Sequence, residues 1–253
     1  MTDTIRLENF WHKLLLSFPG SKDIDGAVVD CYPQVPINAF NHAADVSVEE
    51  DEVEDLLNRV TQHFLSKRAT HVYFRITPLT RPKSFASFLE EQGFLKESED
   101  LIMVFKGERL KNRLNPKVKV KEISENEIDI FGDLLLTIFE MPIEWSEGIK
   151  LLLNNMIQKG GKNYLAYFDG NPVGTCSLFS LNGTGGLFNI GTLKEYRRQG
   201  IATTLIAHAL FDSISRGDDL HTLQTMKGEK AEQLYKEIGF EIGHTVSWFV
   251  KKL

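Results

Sequence analysis

The sequence predicts a mixed α/β fold built twice, each half a mixed β-sheet flanked by helices. The first observation is a pair of matching segments. Residues 88–106, "FLEEQGFLKESEDLIMVFK", and 234–252, "LYKEIGFEIGHTVSWFVKK", each pass from a helix through Gly-Phe into alternating residues. Gly93-Phe94 and Gly239-Phe240 stand at one offset (239 − 93 = 146), and each glycine sits where a left-handed helix cap belongs. The second observation is upstream order. "SVEEDEVEDLLNRVTQHFLSK", "THVYFRIT" and "RPKSFASFLEEQGF" read helix, strand, helix, and "GIATTLIAHALFDSISR", "LHTLQTM" and "EKAEQLYKEIGF" repeat that order. The third is the basic, Asn-Pro-containing stretch at 106–121, "KGERLKNRLNPKVKVK", which reads as a solvated linker near the middle of the chain. These boundaries predict one domain at 1–107, a linker at 108–117 and a second domain at 118–253.

Composition narrows the function classes. At 42% apolar and 25% charged, the 253 residues have ordinary globular character and an ample core. A net charge of -6 argues against nucleic acid as the main partner, because phosphate binding needs a basic surface. Cys31 and Cys176 form no metal or disulfide spacing, so no metal site is predicted and a reducing compartment is. No apolar run reaches the roughly 18 residues a membrane span needs. "LENFWHKLLLSF" near the N-terminus is too short and too polar-flanked for a signal peptide. A cytoplasmic protein without membrane contact is expected.

The remaining elements of the second half follow in order. "SENEIDIFGDLLLTIF" starts a helix with Ser124 and Glu127 spaced as a capping box. "EWSEGIKLLLNNMIQ" is a second amphipathic helix after Pro142, and "KNYLAYFDGNPVGTCSLFSLN" is a hairpin turning at Asp169-Gly170-Asn171-Pro172. "GGLFNIGTL" is a further strand that runs straight into "EYRRQGIATTLIAHAL", residues 195–210.

That last junction carries chemistry. The first N–H groups of a helix lack intrahelical partners, and the macrodipole places about half a positive charge there. Arg197 and Arg198 add full charges, Gly200 admits a phosphate to the backbone, and Ala202 is nearly as small. Ile201, Leu205, Ile206, Ala209 and Leu210 give the apolar stripe that seats the helix on a sheet. A solvated arginine pair beside a plain turn explains the same residues equally well on local physics alone.

The strand–"YRRQGIA"–helix unit resembles the acyl-CoA signature of the GNAT superfamily of N-acyltransferases, Arg/Gln-x-x-Gly-x-Gly/Ala, with Arg197, Gly200 and Ala202 at its fixed positions. "AEQLYKEIGF", residues 231–240, is similar to the later Ala-x-x-Leu-Tyr-x-x-x-Gly-Phe segment of that family through Ala231, Leu234, Tyr235, Gly239 and Phe240. The resemblance covers residues 118–253 in order, while the first half shares only element order. It implies acetyl-CoA as cosubstrate, with pyrophosphate on the turn formed by Arg197, Arg198, Gln199, Gly200, Ile201, Ala202 and Thr203. The pantetheine arm would lie along the main chain of Ile190, Gly191 and Thr192. An amine would attack the thioester directly, without an acyl-enzyme, and Tyr235 would be the general acid for the departing thiolate. A phenol is protonated at pH 7 and can donate to sulfur; the same tyrosine also suits a packed amphipathic helix.

Two departures stand out. Gly228 occupies a position where the family often has Asn, and Phe188 and Asn189 stand near the place of its frequent strand carboxylate. Glu140, Glu144, His208 and His244 are the candidates for a base, each with a structural role open to it, and none is chosen. In the first half the equivalent helix starts among Glu49, Glu50, Asp51 and Glu52, with Ser47 and Glu50 spaced as a capping box. Leu89 stands against Tyr235 (235 − 89 = 146). Carboxylates there favour the helix and repel pyrophosphate. The expectation is an N-acetyltransferase with one active site in the second half, a degenerate first half and a small-molecule or peptide amine as acceptor. A CoA-binding or sensing module without turnover is the alternative, and monomer and homodimer are both open.

Overall fold

The computed structural model describes residues 3–16, 18, 20–107 and 114–253, so most of the predicted linker at 108–117 lies outside the described residues. The chain forms two compact units. The first comprises Met1–Ile102, Thr225–Gly228 and Gly243–Leu253, the second Met103–Gln224 and Glu229–Ile242. The units therefore do not follow the halves of the sequence. Gly243–Leu253, predicted to close the second domain, belong to the first.

In the first unit, α1 (Asp3–Leu15) precedes a hairpin of β1 (Ser21–Ile24) and β2 (Ala27–Cys31). Then come β3 (Asn41–Ala44), α2 (Val53–Ser66), β4 (His71–Ile76), α3 (Phe85–Glu91) and the start of β5 (Leu95–Phe105). β1, β2 and β3 form an antiparallel meander, and β3 pairs parallel with β4. On the other side of β4, residues 247–252 of the last strand pair antiparallel from Ser247↔Ile76 to Lys252↔His71. α2 buries Leu56, Leu57, Val60 and Phe64, a helical stripe that meets Val72, Phe74, Phe85, Leu89 and Phe249 in one core. Each such side chain contributes on the order of 1.5–3 kcal/mol by leaving water. Leu15 of α1 packs with Val28 and Ala44.

The predicted capping box on Ser47 and Glu50 is corrected. Ser47 forms an isolated bridge with Arg81. The box is made by Glu49 and Glu52 at the 3₁₀ turn Glu50–Glu52 that leads into α2. The box therefore lies two residues nearer the helix than predicted (49 − 47 = 2), at the acidic side chains that start the turn.

In the second unit, β6 (Lys119–Glu122) leads to α4 (Ile128–Ile138), α5 (Ser146–Gln158), β7 (Lys162–Phe168), β8 (Asn171–Leu181) and β9 (Thr184–Thr192). α6 (Ile201–Ser215), β10 (Leu220–Met226), α7 (Lys230–Ile238) and β11 (Phe240–Lys252) complete the chain. The sheet order is β5-β10-β9-β8-β7-β6, with its β5 residues drawn from Met103–Phe105. β6 through β9 are antiparallel neighbours, and β9 pairs parallel with β10. This repeats the meander and parallel step of the first unit. The Ser124–Glu127 box forms as predicted, Ser124 N–H donating to Glu127 Oε2 at 3.2 Å. The turn at Asp169-Gly170 has both residues at positive φ, 50° and 83°, which gives the twist a two-residue hairpin needs. Gly93 and Gly239 follow their helices at φ 81° and 117°, as the matching segments predict. Among the described residues, no helix is long and apolar enough to cross a membrane.

Candidate functional site

The site is built where β9 ends and α6 begins. A Cβ on Gly174 of β8 would meet Ile201 and Leu205 of α6, whereas one on Gly191 of β9 would sit 2.3 Å from Ile138 of α4. α6 thus covers one face of the sheet and α4 the other, and Gly191 lets α4 close tightly over the strand. The parallel ladder of β9 on β10 runs in register from Leu220↔Thr184 to Leu223↔Leu187, and Ile190, Gly191 and Thr192 lie beyond it.

β9 is bulged at this point. On β8 one residue separates Thr175 from Ser177, but their partners Gly191 and Phe188 are separated by two. The additional residue leaves Asn189 in the left-handed region at φ 53°. Side chains pin it there. Thr175 Oγ1 donates to Asn189 O at 2.7 Å, Asn189 Nδ2 donates to Ser177 Oγ at 2.9 Å, and Ser177 Oγ donates to Asn163 Oδ1 at 2.5 Å. Thr175, Ser177 and Asn163 are fully buried, so the bulge is held by a dry polar chain. The sequence reading passed over Asn189 as a missing carboxylate. An asparagine among strand residues is itself a signal for left-handed backbone.

After Thr192 the chain makes one 3₁₀ turn, Lys194–Tyr196, and reaches the arginine pair. Arg197 is extended, Arg198 is left-handed at φ 66°, and Gly200 is left-handed at φ 73° directly before α6. Left-handed residues alternating through a turn aim successive N–H groups inward, as anion-binding concavities do. Gly200 takes this conformation without the penalty that Arg198 bears. Arg197 Nε donates to Thr192 O at 3.2 Å, which ties the turn to the end of β9. Of the predicted residues, Arg197 and Arg198 are exposed and Ile190, Gln199, Gly200 and Ala202 partly so, whereas Gly191, Thr192, Ile201 and Thr203 are buried.

Tyr235 lies on α7, only 6% exposed, with its ring edge-on to Phe240 at 6.1 Å. Burial raises its hydroxyl well above the ordinary tyrosine range, and the nearby Cys176 adds to the shift. Cys176 is the β8 residue between Thr175 and Ser177, opposite the bulge. The Tyr235 phenol stays protonated at neutral pH.

The candidate bases separate. Glu140 and Glu144 are exposed after α4, Glu140 at φ 53°. His208 is exposed on α6 with its ring 5.1 Å from Tyr164, and burial of the ring lowers its pKa. His244 belongs to the first unit, where its Nε2 bonds Glu8 Oε1 at 2.5 Å inside a buried cluster.

The turn fits an anionic group. It carries no carboxylate from Arg197 to Thr203, and the hydroxyl of Thr192, 9% exposed, has no hydrogen-bond partner among the described residues. A buried donor left unused at the mouth of an N–H-lined turn calls for an acceptor from outside.

The bulged strand runs into this turn on a mixed sheet with helices on both faces. Residues 131–240 match the model of the Acetyltransferase (GNAT) family, which supports an acyltransferase. Among solved structures, a GCN5-related N-acetyltransferase from Kribbella flavida is similar over 99% of this chain and 96% of its own, with TM-score 0.77 and 18% identity. One from Sphaerobacter thermophilus covers 95% and 85%, with TM-score 0.68 and 14% identity. A tandem GNAT protein from the clavulanic acid biosynthesis pathway covers 83% and 75%, with TM-score 0.63 and 12% identity. A search of curated protein sequences returns no match.

Proposed function

We propose that the second unit transfers an acetyl group from acetyl-CoA to a primary amine at a single site. The observation that carries this reading is the sequence of left-handed residues, Arg198 then Gly200, that opens α6 at the end of a bulged strand. Pyrophosphate would sit on the N–H groups of Arg197 to Thr203, with the two arginines adding charge. The pantetheine arm would lie along Ile190, Gly191 and Thr192 as an added strand. Acetyl-CoA brings a thioester, whose carbonyl is open to direct attack. The amine lone pair forms the C–N bond, the C–S bond breaks, the thiolate takes the Tyr235 proton, the ammonium proton passes to solvent, and the phenolate regains a proton from solvent. Burial keeps Tyr235 protonated, so that it donates a hydrogen bond to sulfur as charge develops there. The acceptor is an amine on a small molecule or a peptide.

The first unit has no equivalent. At the start of α2 the Glu49 side chain takes an N–H of the first turn, and Glu49 N–H donates to Glu52 Oε2 at 3.0 Å. Donors that a phosphate would use are already met by carboxylates, and the added negative charge repels it.

Calorimetric titration with acetyl-CoA tests the reading. One site per chain is expected, lost in Gly200→Glu while the circular dichroism of the protein is retained. Two sites would give the first unit a role denied to it here, and no binding would remove the enzyme reading.

A further inference from the structure

The geometry points to Asn115, a residue of the predicted linker, as a positioning residue for the phosphate-binding turn. This inference rests on the cosubstrate reading proposed above and concerns how the turn is held ready. Asn115 lies between the described residues Leu114 and Pro116, just before β6, and is 84 residues from the turn in sequence. Its side chain nevertheless reaches the turn. Asn115 Nδ2 donates to Gln199 O at 2.7 Å, and its main-chain N–H donates to Thr204 Oγ1 at 3.1 Å. Thr204 Oγ1 in turn donates to Gly200 O at 2.9 Å. Asn115 Oδ1 accepts Lys117 N–H at 2.9 Å and Asn115 O accepts Val118 N–H at 3.0 Å, so the asparagine is itself fixed.

The consequence follows from peptide planarity. In a trans peptide the carbonyl oxygen of one residue and the N–H of the next point in opposite directions. Asn115 holds the Gln199 carbonyl on its own side of the turn, so the Gly200 N–H must point away from Asn115, toward the concave side. A free Gln199–Gly200 peptide flanked by left-handed Arg198 and Gly200 could rotate as a unit and present its carbonyl to an incoming phosphate. Two negative ends would then face each other. Asn115 and Thr204 brace two consecutive carbonyls from outside, which leaves the N–H groups of the turn facing inward before any cosubstrate arrives.

The test separates bracing from general stability by the part of the cosubstrate it reads. Wild-type protein and Asn115→Ala are titrated calorimetrically with acetyl-CoA. Competition then gives the affinity of S-acetylpantetheine, which has the thioester arm and lacks pyrophosphate. Asn115→Ala is expected to weaken acetyl-CoA about tenfold, the loss of one to two hydrogen bonds, and to leave S-acetylpantetheine unchanged. Equal acetyl-CoA affinity in both proteins, or equal weakening of both ligands in the variant, overturns the inference. Thr204→Val removes the second brace and gives the same reading should Asn115→Ala not fold. Absence of acetyl-CoA binding by the wild type is seen separately, and overturns the cosubstrate reading together with this one.

Discussion

Tyr235 shows how one side chain can be read twice. On α7 it falls at the buried edge of an amphipathic helix, and packing accounts for it as well as chemistry does. The chemical role is the one proposed above, and it predicts a loss that packing alone would not. Replacing Tyr235 by Phe removes the proton and keeps the ring. Turnover is expected to fall by about a hundredfold or more, the usual share of a general acid, with acetyl-CoA affinity unchanged. Steady-state kinetics beside calorimetry reads both, and an unchanged kcat would remove Tyr235 from the mechanism. At this scale the sequence showed Arg197, Gly200 and Tyr235 because their types and spacing are local. It did not show Asn115 or the partners of Asn189, whose hydrogen bonds join residues 12 to 89 apart.

Elements in this chain were legible where one period dominates. α2 and α6 carry long apolar stripes, and both matching helices end on left-handed glycines. α1 and the strands β1 to β3 went unassigned because the strands are only four or five residues long and buried charges, Glu8 in α1 and Asp30 in β2, interrupt the pattern. Glu8 of α1, Arg75 of β4 and His244 of the last strand form one such cluster, Arg75 Nη1 lying 2.5 Å from Glu8 Oε2. Burial works against the Glu8 charge, but Arg75 and His244 prevail and hold its pKa at about 2. The contribution of this carboxylate is therefore complete above its ordinary value of 4.5 and is lost as pH falls toward about 2. Glu8→Gln leaves Arg75 without its counter-charge and is expected to cost about 3 kcal/mol near neutral pH. Chemical denaturation across the acid range would show it. The variant should be the less stable protein at pH 6, and the gap should close as the wild type is acidified.

Across the whole molecule, two similar units exchange the ends of their closing strands. After α3 the chain enters β5, whose residues Met103–Phe105 sit in the second unit, and after α7 it enters β11, whose residues from Gly243 complete the first. The repeat was visible in the Gly-Phe offset, but the exchange was not, since a strand has the same alternation whichever sheet receives it. Deleting residues 243–253 should expose the edge of β4 and empty the places of Trp248 and Phe249, 2% and 3% exposed. Hydrogen exchange read by mass spectrometry is expected to rise first in residues 71–76 and α2, with α6 still protected. Protection of β4 equal to that of the full chain would mean the strand is dispensable.

The same exchange orders events at the ribosome. The first unit ends its early segment at Ile102 and receives its last strand from Gly243, so the residues 103–242 (242 − 102 = 140) are synthesised between them. At about 5–20 residues per second, that is a wait of roughly 7–28 s. Throughout it, β4 offers an open edge to any extended chain nearby. The nascent protein cannot finish its first-made unit until residues 243–253 emerge, and that interval is when a chaperone has most to shield.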